Sequence, residues 1–131
     1  MLNRQPRVVV IEDHPLVRTG QRMLLEHAGY RVAEIATAAE LAVFVATTGD
    51  SQAIIADFDL GPGLTGIEMA LEIMRRAGEW IPTLVLSASF GGRSLDAAAS
   101  WGMPVMFKPA SEEQVLGWVA DILALEGESR R

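Results

Sequence analysis

At 131 residues, half of them apolar, the chain can bury about two-thirds of its unfolded surface in one domain without disulfides or a structural metal. Cysteine is absent, which excludes a disulfide framework, a thiolate zinc site and a cysteine nucleophile. The formal net charge of −6 argues against binding a nucleic-acid backbone, and the adjacent basic pairs Arg75-Arg76 and Arg130-Arg131 read as solvated surface.

Short apolar runs alternate with helix-like stretches along the chain. Residues 7–12 read as a first strand that stops at Glu12 and Asp13, and Pro15 to Ala28 as a helix with Pro in its tolerated first turn and Gly29 closing it. A weaker strand covers about 30–35. Thr37-Ala38-Ala39-Glu40 is a capping-box pattern, opening a helix with Leu41, Phe44 and Val45 on one face. Residues 53–57 form a third strand, which stops at Asp57. The loop FDLGPGLTG follows, then a helix from Ile67 to Ala77 with Ile67, Leu71 and Met74 at helical spacing.

Pro82 to Leu86 is a fourth strand with Ser87 at its end, and the alanine-rich residues 93–101 form a helix entered through Gly91-Gly92. Val105 to Phe107 is a short fifth strand, ended by Lys108-Pro109. Ser111 to Gln114 repeats the capping-box pattern before a last helix with Val115, Trp118, Val119 and Ile122 on its buried stripe. The tail EGESRR has no apolar anchor and is expected to fray. Met23, Met69, Met74 and Met106 read as core filler, His14 as a surface residue at a helix start, and His27 as a helix-end residue that favours the dipole when protonated.

Five βα units with right-handed crossovers give an α/β domain with a parallel sheet and helices on both faces. The carboxyl ends of its strands open onto one crevice, and Glu12, Asp13, Asp57, Ser87 and Lys108 all stand at such ends. Each has a plain structural role available in isolation: a turn-forming Asp, helix-capping acids, a structural hydroxyl, a surface lysine. Together they point to chemistry. Three converging acids repel and raise one another's pKa unless a cation joins them, which predicts a hard metal site; with an ammonium and a hydroxyl beside it, the site suits a phosphoryl group.

The segments VVVIEDHP, AIIADFDL, LVLSAS and MFKPA, in this order and spacing from about Arg7 to Leu125, make the chain resemble a receiver domain of the bacterial two-component response-regulator family. The resemblance implies a doubly wound, flavodoxin-like sheet in the order 2-1-3-4-5 and a signalling role rather than an enzymatic one. It implies that Asp57 accepts a phosphoryl group from a histidine kinase or a histidine phosphotransfer protein. Asp13 then corresponds to a direct Mg2+ ligand, Glu12 to an acid that holds the metal through water, and Asp59 to the residue whose backbone carbonyl completes the set. Lys108 would pair with the acyl phosphate, Ser87 would move onto a phosphoryl oxygen, and the side chains of Asp59 and Ser89 would tune the lifetime. A carboxylate is a competent nucleophile toward phosphorus, and Mg2+ favours few carboxylates together with waters and phosphate oxygens.

Two departures from the family pattern stand out. Pro62 lies five residues after Asp57 and Gly66 nine after, each one more than the family's common spacing, so one residue is inserted at Gly61-Pro62-Gly63, as in receivers attached to hybrid histidine kinases. Val105 occupies the position, three before Lys108, where many members carry an aromatic ring. That excludes an aromatic-rotamer switch there and leaves signal transmission to other changes between Ser87 and Phe107.

No apolar run approaches the ~18 residues of a membrane span and no secretory signal precedes VVVI, so a cytoplasmic protein with no membrane or direct nucleic-acid partner is expected. The chain stops soon after its fifth helix, which leads us to expect a stand-alone phosphoryl carrier or a domain that binds a downstream protein through its last two strand-helix units; a homodimer is compatible with it. Two other readings stay open: a phosphohydrolase of the haloacid dehalogenase type, with Asp57 attacking and Asp59 as general acid, and a pseudo-receiver that binds partners without accepting phosphate.

Overall fold

The computed structural model describes residues 5–47, 50–61, 63–88 and 92–129, without the side chains of 45–47 and 126–129. Val45 as a face residue, Pro62, Ser89, Gly91, Arg130 and Arg131 therefore lie outside the described residues. The elements alternate through the chain: β1 (Arg7–Ile11), α1 (Pro15–His27), β2 (Arg31–Ile35), α2 (Ala38–Thr47), β3 (Ala53–Asp57), α3 (Gly66–Ala77), β4 (Thr83–Ser87), α4 (Gly92–Ser100), β5 (Val105–Phe107) and α5 (Glu112–Ser129). All strand pairs are parallel and the sheet runs β2-β1-β3-β4-β5, the order that the resemblance implies.

The inner strands are covered on both faces, which is why their sequences are apolar without alternation. Val9, Ile11, Ile54, Ala56 and Val85 face Leu41 of α2, Ile67, Ala70 and Ile73 of α3 and Ala98 of α4. On the opposite face Val8, Val10, Ile55, Leu84 and Leu86 meet Leu25 of α1 and Val115 and Val119 of α5. Alternation along each strand thus feeds two separate cores.

Helix ends follow the polar signals. The Ser111 Oγ accepts from the Gln114 amide while the Gln114 side chain accepts from the Ser111 amide, both at 3.0 Å. At α2 the Thr37 Oγ1 accepts from the Glu40 amide at 3.1 Å, but the Glu40 carboxylate accepts from Ala36 rather than from Thr37. A further box, Thr65 with Glu68, opens α3 one residue ahead of the expected start. Gly29 closes α1 at φ +100°, in the region glycine enters without cost.

Two details differ from the sequence reading. Met23 is 58% exposed rather than core filler, because it lies two positions from the buried Leu25 and so on the opposite flank of α1. Trp118 and Ile122 are half-buried, with Trp118 packed against the core. Of the segment EGESRR, α5 takes in residues 126–129.

Candidate functional site

The strand register brings the polar residues level. Ile11 pairs with Ala56, Asp57 with Leu86, and Ser87 with Phe107, so Glu12, Asp57, Ser87 and Lys108 end four neighbouring strands at one edge of the sheet. Asp13 and His14 form the turn into α1, whose first amides are capped by the His14 Nδ1, accepting from Val17 at 3.4 Å.

Glu12 is a buried carboxylate, 1% exposed. Its amide donates to the Ile35 carbonyl at 3.0 Å, and its Oε2 accepts from the His14 amide at 3.2 Å. The Oε1 is buried without a hydrogen-bond partner, and the Lys108 Nζ stands 3.6 Å away. Burial pushes the Glu12 pKa up to about 7, and the charge of Asp57 adds to the rise, against the lowering effect of the His14 amide and of Lys108.

Asp57 is also buried, and both its oxygens are engaged: the Oδ1 accepts from the Asp59 amide at 3.2 Å and the Oδ2 faces the Lys108 Nζ at 3.0 Å. Burial alone would lower the pKa of Lys108, but the hydrogen bond and attraction of Asp57, joined by Glu12, hold it above the usual lysine value. The Lys108 amide donates to the Ser87 carbonyl at 2.8 Å, which fixes the base of its side chain to β4. Ser87 itself is fully buried.

The side chain of Asp59 lies outside this cluster: its Oδ2 accepts from the Ala88 amide at 3.3 Å, tying the loop after β3 to the end of β4. The inserted loop returns to the site at Gly66. A Cβ on Gly66 would collide with the Asp57 carbonyl oxygen, so only glycine lets α3 begin there.

One carboxylate oxygen each from Glu12, Asp13 and Asp57 lie within 4.8 Å of one another, two acids buried and one exposed. This set, with an orphaned buried oxygen on Glu12, fits a hard divalent cation: it offers oxygen donors only, keeps an open side at Asp13, and carries charge that a cation would offset. Beside it a groove of about 390 Å³ runs between α1 and the start of α5, walled by Leu16, Val17, Leu24, Pro109 and Val115 and bordered by Lys108.

The sequence reading missed two contributors. Thr65 and Glu68 carry a visible T-x-x-E signal just before an apolar run. Arg18 has no motif, but it sits one helical turn above the acidic turn, and its Nη1 donates to the Glu12 carbonyl at 3.0 Å and the Asp13 carbonyl at 3.4 Å.

Comparison with known proteins places this architecture. Residues 8–119 match the response regulator receiver domain. The chain is 30% identical over 123 residues, 91% of its own length, to the sensory/regulatory protein RpfC of Xanthomonas campestris pv. campestris, and spans 17% of that protein. Among solved structures it is similar to a response regulator receiver domain protein (CheY-like) from Methanospirillum hungatei JF-1, with a TM-score of 0.82 and 18% identity over 96% of this chain and 99% of that one. A response regulator receiver protein from Burkholderia phymatum gives 0.73 and 26% identity, over 92% and 96% of the two chains.

Proposed function

The chain belongs to the response regulator receiver domain family, and on that premise we propose that it is a phosphorylation switch: Asp57 takes a phosphoryl group from a phosphohistidine of a kinase or phosphotransfer protein and the modified domain changes its binding to a protein partner. The observation that carries this reading is Lys108, whose Nζ stands 3.0 Å from the Asp57 Oδ2 and 3.6 Å from the Glu12 Oε1, joining the two buried acids across the sheet.

In the transfer, an Asp57 carboxylate oxygen forms a bond to phosphorus as the bond from phosphorus to the donor's imidazole nitrogen breaks, and the imidazole leaves with the electron pair. The Asp59 amide and Lys108 hold the carboxylate in one orientation before attack, so little ordering is left for the reaction itself. Lys108 remains beside the new phosphoryl oxygens as a point charge. Glu12 and Asp13, with Asp57 and the backbone carbonyl of Asp59, would hold Mg2+, which when bound neutralises charge on the phosphoryl oxygens. Ser87, at the end of β4, moves onto a phosphoryl oxygen and carries the change into the segment that ends at Phe107. Val105 is half-buried, and the response runs through main-chain and packing changes there instead of a ring flip. Asp59 and Ser89 tune the lifetime of the modified state.

The groove bordered by Lys108 offers the donor an apolar surface, and a cytoplasmic setting suits both donor and acceptor. Among the described residues no helix is long and apolar enough to cross a membrane. The phosphohydrolase reading fits less well, because the Asp59 carboxylate that would act as general acid is bonded to the Ala88 amide.

Incubation with Mg2+ and acetyl phosphate should label the protein stoichiometrically and shift the amide resonances around Asp57, Ser87 and Lys108. In Asp57→Asn, labelling should fall more than a hundredfold while the fold persists. Labelling that survives in that variant would refute the site, and absence of both label and shifts in the wild type would favour the pseudo-receiver.

A further inference from the structure

We propose that Arg18 is a positioning residue for the acidic pair, and that Glu34 is the anchor against which it works. The proposal rests on the receiver reading for its purpose, but its geometry is independent of it. The Arg18 Nη1 reaches down from α1 to the main-chain carbonyls of Glu12 and Asp13, at 3.0 and 3.4 Å, while its Nε faces the Glu34 Oε1 at 3.4 Å. The other oxygen of Glu34 faces the Arg22 Nε at 3.2 Å, and Arg22 is itself held by Glu26 at 2.8 Å. Glu34 sits on β2 in register with Val10 of β1, one residue before Ile35, whose carbonyl receives the Glu12 amide. The turn carrying the two acids is thus fastened to β2 twice, once through its own backbone and once through the Glu34–Arg18 link.

The choice of acceptor gives this link its function. Lys108 stabilises Glu12 and Asp57 through their carboxylate oxygens, the same atoms a metal would use. Arg18 offsets the same negative charge through the backbone carbonyls and leaves the carboxylate oxygens of Glu12 and Asp13 to a ligand. Only a planar fork can serve two carbonyls on one nitrogen and a carboxylate on another, so a lysine cannot replace it. The side chains of Arg18 and Glu34 are 21% and 32% exposed, sheltered enough for salt to screen the pair less than a fully solvated one.

The test compares wild type, Arg18→Met, Arg18→Lys and Glu34→Ala in two measurements. In metal-free protein, hydrogen exchange of the Glu12 and His14 amides should quicken about tenfold in Arg18→Met, while amides of Ile54 and Ile55 in β3 keep their wild-type rates. In a Mg2+ titration followed by amide shifts, Arg18→Met should bind about tenfold more weakly, the size of effect seen when support around metal ligands is removed. Arg18→Lys should behave like Arg18→Met, and Glu34→Ala should fall between them and wild type. Full recovery in Arg18→Lys would overturn the proposal in favour of a bare charge effect. Uniform acceleration of all amides would reduce Arg18 to general stability and also overturn it. Unchanged exchange at Glu12 and His14 would do the same. If wild type failed to bind Mg2+, the receiver reading would be at fault, and the exchange data would still decide the role of Arg18.

Discussion

The two flanks of Asp57 are held by different forces. On one side, β1 and β2 are five-residue strands, Glu12 is buried, and the acidic turn is tied to β2 by the Glu12–Ile35 hydrogen bond and by the Arg18–Glu34 pair. On the other side, β5 has only three residues, all half-buried, and its end is joined to β4 by the Lys108–Ser87 main-chain bond. The Asp59–Ala88 bond, between exposed residues, and the Arg93 guanidinium over the Phe58 ring tie the β3 loop to this flank. A flank fastened by charge-assisted bonds suits ligands that must stay in place, and a short, partly solvated strand opens at lower free energy. The division of labour we propose, metal-holding acids on one side and responding groups on the other, thus has a physical counterpart in how each side is fastened.

The largest effect should come from the joint between the flanks. Gly66→Ala places a methyl group into the Asp57 carbonyl oxygen, and because that neighbour is backbone of a fully buried strand, we expect at least about 3 kcal/mol of destabilisation in urea unfolding. A cost below about 1 kcal/mol would mean that the inserted loop absorbs the strain and that α3 is not fastened to Asp57.

Lys108→Met tests the cation that spans the flanks. Without it two buried acids face each other unpaired, so metal-free protein should lose about 1–3 kcal/mol, and phosphorylation by acetyl phosphate should slow markedly. Addition of Mg2+ should restore part of the lost stability, since a divalent cation can take over the neutralising role. Equal losses with and without Mg2+ would separate Lys108 from the acidic cluster.

The smallest effect concerns pH. The folded pKa of Glu12 lies near 7, above its ordinary value of 4.5, so its contribution to stability is fully present below about pH 4.5 and is lost as pH rises through about 7. Wild type should therefore gain on Glu12→Gln as pH falls through this window, by an amount on the order of 2 kcal/mol in metal-free buffer. Mg2+ should flatten the difference by competing with the proton. A pH-independent difference would show that Glu12 is charged in the fold and that Lys108 alone satisfies it.

Much of this was legible before any coordinates. The runs VVVI and AIIA announce strands buried on both faces, and the residues at their ends announce the crevice, because a parallel sheet delivers every strand's carboxyl end to one edge. The acids, Ser87 and Lys108 stand where that argument puts them. Arg18 was not legible, because its partners are backbone carbonyls and a strand residue distant in sequence, and no side-chain pattern encodes a carbonyl acceptor. The orientation of Asp59 was hidden for the same reason, since the Ala88 amide that holds it belongs to another strand end.

Sequence alone therefore determined the alternation of strands and helices, the two-sided core and the identity of the chemical groups at the edge, since these follow from hydrophobic periodicity and local caps within a few residues. Tertiary structure alone decided which acids are buried, that Glu12 keeps an unpartnered oxygen and a raised pKa, that Lys108 bridges Glu12 and Asp57, and that Gly66 must be glycine. Burial and electrostatics depend on what surrounds a group from every side, and those neighbours are assembled only when distant strands come together.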